Sequence, residues 1–248
     1  MVVAMAEVVV MVAATAVDMA EAEMAGAGRV ALVAGATGLV GRAVLAALLA
    51  DKRYRIVHTV GRRAPDVRHA KLVHHTVDFG SAKQLAALPA ADEVFIALGT
   101  TIKVAGSQAA FRAVDFDAIV ALARATQAQG ATKFGVVSAM GADAKSPIFY
   151  NRVKGEMEDA LAGMGLVHLV IARPSMLAGD RASLHQATRA GEQMGLVFSK
   201  LLKPLIPNNY RAVAASDVAA ALVHALQTAA PGTLRLLSGA LQGAAQRA

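Results

Sequence analysis

Ser138, Tyr150 and Lys154 have the residue types and spacing of a proton-transfer site. Tyr150 and Lys154 are four apart in Tyr150-Asn151-Arg152-Val153-Lys154, so a helix would carry both on one face. A free phenol, with a pKa of about 10, shuttles protons poorly at neutral pH. An ammonium beside it, reinforced by an oxidised nicotinamide, favours the phenolate and brings that proton into use. In such a set the hydroxyl of Ser138 hydrogen-bonds the substrate oxygen while Tyr150 gives or takes its proton. With 3 Tyr in 248 residues, such a Tyr/Lys pair arises by chance roughly 0.1 times, so its placement after a strand is what gives it weight.

A second feature is the run Gly35-Ala36-Thr37-Gly38-Leu39-Val40-Gly41, which follows an apolar strand and opens an apolar helix. Glycine every third residue permits a tight turn, close backbone approach to a pyrophosphate and close packing of helix on sheet, while the helix N-terminus favours negative charge. Strand, glycines and helix in this order mark a dinucleotide cradle in which Gly35, Thr37, Gly38, Leu39, Val40 and Gly41 line the cofactor; the plain alternative is a strand-to-helix turn without a ligand.

About 20 residues further on, a fold that binds NAD usually carries an acid for the ribose 2′-hydroxyl. Here that place reads Val60-Gly61-Arg62-Arg63. Two guanidiniums would make charge-assisted hydrogen bonds to a 2′-phosphate, so NADP(H) is favoured over NAD(H), against the bland reading of a solvated turn. Asp78, followed by Phe79 at the end of the third strand, meets the adenine edge or simply starts a turn.

These residues need a scaffold, and the hydrophobic pattern supplies one. β-branched apolar runs at Val30 to Ala34, Arg55 to Val60, Lys71 to Asp78, Glu93 to Leu98, Lys133 to Ser138, Val167 to Ala172 and Thr233 to Leu237 read as strands. Between them Leu39 to Ala50, Gln108 to Gln129, Ile148 to Ala162 and Asp217 to Thr228 read as helices, the last capped by Ser216, with a mixed region at 181–202. The alternation predicts an α/β doubly wound Rossmann fold, a mostly parallel sheet with helices on both faces. Residues 29–248 then form one NAD(P)-binding domain with a small substrate-covering part around 176–212. Ligands of such sheets bind outside the carboxyl ends of the strands, where the chemistry-bearing residues fall.

Taken together, GATGLVG, Ser138, YNRVK and Arg173-Pro174 resemble the short-chain dehydrogenase/reductase superfamily across residues 29–239. The segments ALGTT at 97–101, Val114-Asp115, VVSAMGADAKSPIFYNRVKGEME at 136–158 and RPSMLAGDR at 173–181 are similar to its atypical group, which includes the Tat-interacting-protein oxidoreductase and bacterial relatives. The resemblance implies NADP(H) in an extended cleft, with Ala97, Leu98, Gly99 and Thr100 along the cofactor and the Pro174 segment over the nicotinamide. It also implies an oxidoreductase and allows a homodimer, while the length left after residues 1–28 favours a small carbonyl or alcohol over a nucleotide sugar as substrate. Many such relatives carry an Asn that supports a proton relay with the lysine, and this chain offers Asp115 in that neighbourhood. A nicotinamide-binding regulatory protein and a nucleotide-sugar epimerase or dehydratase are the competing functions.

Composition bounds the rest. Hydrophobic residues make up 56%, charged residues 17% and aromatics 4%, with no Trp, which excludes a disordered chain and argues against a base-stacking platform. No Cys means no disulfide framework and no thiol nucleophile, which suits a cytoplasmic protein. Seven His show no metal-ligand spacing, so no metal is expected. The net charge is +7, and residues 51–71 carry a local +5, where Lys52, Arg53, Arg55, Arg62, Arg63, Arg68 and Lys71 oppose only Asp51 and Asp66, so the basic balance points in part to a phosphate-bearing cofactor rather than to nucleic acid, the rest being dispersed along the chain. Residues 1–28 contain four acids and no Lys or Arg and read as a poorly ordered extension, with no stable membrane association expected.

Overall fold

In the first strand Val30, Leu32 and Ala34 face one apolar core while Ala31 and Val33 face another, and all five are sealed from water. A strand buried on both faces belongs inside a parallel sheet covered by helices on each side. The computed structural model describes residues 28–178 and 208–247. In chain order it contains β1 (Arg29–Ala34), α1 (Leu39–Ala50), β2 (Tyr54–Gly61), β3 (Leu72–Thr76), α2 (Ala82–Ala86), β4 (Glu93–Ile96), α3 (Ile102–Ala105) and α4 (Gln108–Arg112). A π-helical segment (Ala113–Asp117) leads into α5 (Ala118–Ala128), followed by β5 (Lys133–Val137), α6 (Phe149–Ala162), β6 (His168–Arg173) and β7 (Leu177–Ala178). The last described part holds β8 (Val213–Ala214), α7 (Ala215–Thr228), β9 (Gly232–Leu237), α8 (Ser238–Leu241) and α9 (Ala244–Arg247).

Seven strands form one sheet in the order β3-β2-β1-β4-β5-β6-β9, every neighbouring pair parallel. The chain winds outward from β1 in one direction and from β4 in the other, which opens a crevice at the carboxyl ends of these two central strands. Leu85 of α2, Ile119 and Leu122 of α5, and Met157 and Leu161 of α6 fill the core on one face. Val44 and Leu48 of α1 and Val218 and Leu222 of α7 fill the other. This is the doubly wound Rossmann architecture expected from the alternating pattern.

Several local expectations are corrected. The third strand is shorter than Lys71 to Asp78, because the Asp78 carboxylate accepts the Gly80 N–H at 3.0 Å and turns the chain. The fourth strand stops at Ile96, where the last ladder bond runs from Ala97 N–H to Ala34 O and β1 itself ends. The helix predicted over 108–129 contains a π segment. Ser216 does not cap α7: the N-cap position is Ala214, without a side-chain cap, and the Asp217 carboxylate accepts N–H groups of Gly243 and Ala245 instead. The expected mixed region at 181–202, most of the substrate-covering part and residues 1–27 lie outside the described residues.

Candidate active site

At the carboxyl end of β1, Gly35 takes φ +82°, and a Cβ there would stand 2.4 Å from the carbonyl oxygen of Ala97. A Cβ on Gly41 would stand 2.0 Å from the carbonyl oxygen of Gly35. The turn therefore closes only with glycine at these two places, one pressed on the loop after β4 and the other packing α1 beneath the turn. Gly38 occupies the N-cap of α1 without a side-chain cap, so the first-turn N–H groups around Leu39, Val40 and Gly41 are left for an anionic ligand; Thr37 lies on the same turn. This cradle, which a Cβ would fill, fits the pyrophosphate of a dinucleotide.

Ala34 pairs with Val60, which brings Arg62 and Arg63, just past the end of β2, beside the glycine turn. Both are exposed, and neither forms an ion pair with a described residue. Asp78 is engaged in its own turn through Gly80, and Phe79 packs against the core on the α2 side. Ala97 and Leu98 also pack on the two cores, whereas Gly99 is exposed at the crevice. Pro174 is buried, and its carbonyl accepts the Met140 N–H at 2.9 Å, which ties the loops after β5 and β6 together.

Helix α6 carries Tyr150 and Lys154 on one face, and that face meets the α4–π segment through two matched contacts. The Tyr150 ring lies 5.5 Å from the fully buried ring of Phe111, and the Lys154 ammonium lies 2.7 Å from Oδ1 of Asp115. Phe111 and Asp115 are four apart, as are Tyr150 and Lys154. Oδ2 of Asp115 accepts the Thr100 N–H at 2.8 Å, so the carboxylate joins the loop after β4 to the lysine of α6. The Tyr150 hydroxyl makes no hydrogen bond to a described residue, and the residue is half-buried.

Ser138 follows β5 directly, and its hydroxyl donates to Oε1 of Glu158 at 2.6 Å. Glu158 also accepts from Arg173 at 2.7 Å and from Arg235 at 3.2 Å, and its carboxylate is almost wholly buried. The carboxylate beside Arg173 holds that guanidinium above its ordinary pKa, outweighing the opposite effect of burial. Glu158 lies eight residues past Tyr150, about 12 Å along the helix axis. Ser138 and Tyr150 share no hydrogen bond. The sequence reading missed Glu158, Phe111 and Arg235. The signal for Glu158 was its four-residue step beyond Lys154, which continues the same helix face.

A glycine cradle at the carboxyl edge of a doubly wound sheet is a dinucleotide site by its geometry, and residues 35–229 match the NAD(P)H-binding family. The chain belongs to this family. Its curated relatives include the protein FMP52, mitochondrial, of Chaetomium globosum, 33% identical over 214 residues, 81% of this chain and 88% of the relative. The Candida albicans protein of the same name is 29% identical over 214 residues, 82% and 90% of the two chains. These names overturn the expected cytoplasmic location. Among solved structures, an oxidoreductase of the short-chain dehydrogenase/reductase family from Burkholderia thailandensis superposes with TM-score 0.66 at 18% identity, covering 86% of this chain and 93% of the other. Bordetella bronchiseptica WbmH, solved with NAD+, gives 0.63 at 17% identity over 86% and 77%. The family fold is thus that of short-chain dehydrogenases and their epimerase neighbours. Among the described residues no helix is long and apolar enough to cross a membrane, and no cluster of three metal-ligating side chains occurs.

Proposed function

We propose that this chain is an NADP(H)-dependent oxidoreductase that moves hydride to or from a small carbonyl or alcohol substrate. The observation that carries the reading is the placement of Tyr150 and Lys154 on one face of α6, tied through Asp115 to the loop that touches the glycine turn. Gly35, Gly38 and Gly41 with the first turn of α1 would hold the pyrophosphate, and Arg62 and Arg63 the 2′-phosphate. Thr37, Asp78, Phe79, Ala97 to Thr100 and Pro174 are assigned to the walls of the same cleft. A bound nicotinamide supplies hydride chemistry at its ring.

Tyr150 moves the compensating proton at the substrate oxygen, and Lys154 supports the phenolate that results. Ser138, whose proton is committed to Glu158, presents only its lone pairs and is assigned to holding the wall of the cleft. The relatives' names favour a mitochondrial location. Tyr150→Phe tests the mechanism: turnover against a panel of small carbonyls should vanish while NADPH affinity stays within about twofold of the parent. Undiminished turnover would refute it.

A further inference from the structure

Among the described residues, Asp115 is the one acid that reaches the lysine of the site. It is 1% exposed, sits on a π-helical segment, and makes two bonds that leave each carboxylate oxygen with a partner, the Lys154 ammonium on Oδ1 and the Thr100 N–H on Oδ2. A π segment inserts a residue into a helix and re-aims the side chains around it, and such segments recur at functional sites. Here it lies between the Phe111–Tyr150 ring contact and α5, at the place where the helix faces Lys154. The lysine is sealed as well, with its side chain 4% exposed, so the pair is screened by protein rather than by water.

Among the described residues no other charge competes for this contact. Arg112 pairs with Glu156, Glu158 is taken by Ser138, Arg173 and Arg235, and Asp117 is exposed. Resting on the reading of Tyr150 and Lys154 as the proton-transfer pair, we propose that Asp115 is their positioning residue: its carboxylate fixes the ammonium on the shared face and offsets part of its field at the phenol. The bond to Thr100 makes that arrangement depend on the loop along the cradle. Removal of the carboxylate charge would leave the ammonium uncompensated and favour the phenolate more strongly.

The chain has 3 Tyr and no Trp, so ultraviolet phenolate absorbance can follow single tyrosines. Tyr210 is exposed and Tyr54 is buried against Glu93, with its phenol pushed well above the ordinary range by burial and by that carboxylate. In a Tyr210→Phe background the first phenolate to appear is therefore that of Tyr150. Adding Asp115→Asn removes one negative charge without changing side-chain shape and should lower the Tyr150 midpoint by about one pH unit. Adding Lys154→Met instead should raise it. An unchanged or raised midpoint in the folded Asp115→Asn protein overturns the proposal. If Asp115→Asn does not fold, a Lys154→Met midpoint equal to that of the parent overturns it, since no ammonium field would then exist to be offset. Neither readout needs a substrate, so a failure here is separable from a failure of the Tyr150→Phe turnover test.

Discussion

The hydroxyl of Ser138 points at Glu158, not at Tyr150, and donates its single proton to Oε1 across 2.6 Å. A serine has one hydrogen to give, so this bond decides what Ser138 can offer the cleft. The carboxylate it joins also clamps Arg173 at the end of β6 and Arg235 within β9, so one buried acid staples three neighbouring strands to α6.

Ser138→Ala should therefore cost stability more than chemistry. Loss of a buried hydrogen bond to a charged acceptor corresponds to about 1–3 kcal/mol, read as a lower urea midpoint. Turnover should stay within about an order of magnitude of the parent, unlike Tyr150→Phe. A folded, stable Ser138→Ala protein without turnover would return the serine to direct contact with substrate.

Gly41→Ala tests the cradle. The added methyl meets the Gly35 carbonyl at 2.0 Å, and backbone must move to admit it. NADPH binding should weaken by about tenfold or more, roughly 1.4 kcal/mol, with an overpacking cost of about 1–3 kcal/mol in stability. Titration of nicotinamide fluorescence and thermal unfolding measure the two effects separately.

The proposed preference for NADP(H) assigns cofactor choice to Arg62 and Arg63, which are exposed at the end of β2. Arg62→Asp combined with Arg63→Ala should weaken NADPH by about ten- to a hundredfold and leave NADH nearly unchanged. Equal losses for both cofactors would refute the assignment to the 2′-phosphate.

His58 and His75 share a hydrogen bond of 2.9 Å between Nδ1 and Nε2 at the edge of the sheet. Burial, then the charge of His75 and of Arg55, hold His58 below its ordinary 6.5; burial, then His74, does the same for His75. The unfolded chain therefore binds protons more readily, and stability is complete above the ordinary histidine range and declines as pH falls through it toward the folded values. Urea midpoints should drop between about pH 7.5 and 5.5, and His75→Asn should flatten that slope. A parent midpoint independent of pH over this window would contradict the account.

Periodicity and turn chemistry made most of the scaffold legible. A short run such as Val30 to Ala34, apolar at every position and followed at once by a glycine turn, reads as a strand covered on both sides, and the Gly35–Gly41 spacing after it marks a cradle at its end. The four-residue step from Tyr150 to Lys154 made a shared helix face readable without coordinates. Boundaries were less legible, because where β4 ends depends on where its partner β1 runs out of carbonyls, and that partner is remote in the chain.

Residue types and local spacing thus determined by themselves the alternation of strands and helices, the glycine turn and the face that carries Tyr150 and Lys154, since each rests on a pattern within a few residues. Only the tertiary structure decided the partners of that face. Asp115 meets Lys154 across 39 positions, and Glu158 meets Arg235 across 77. Such pairings depend on how helices and strands are packed in space, and a buried charge takes whichever opposite charge that packing brings within reach.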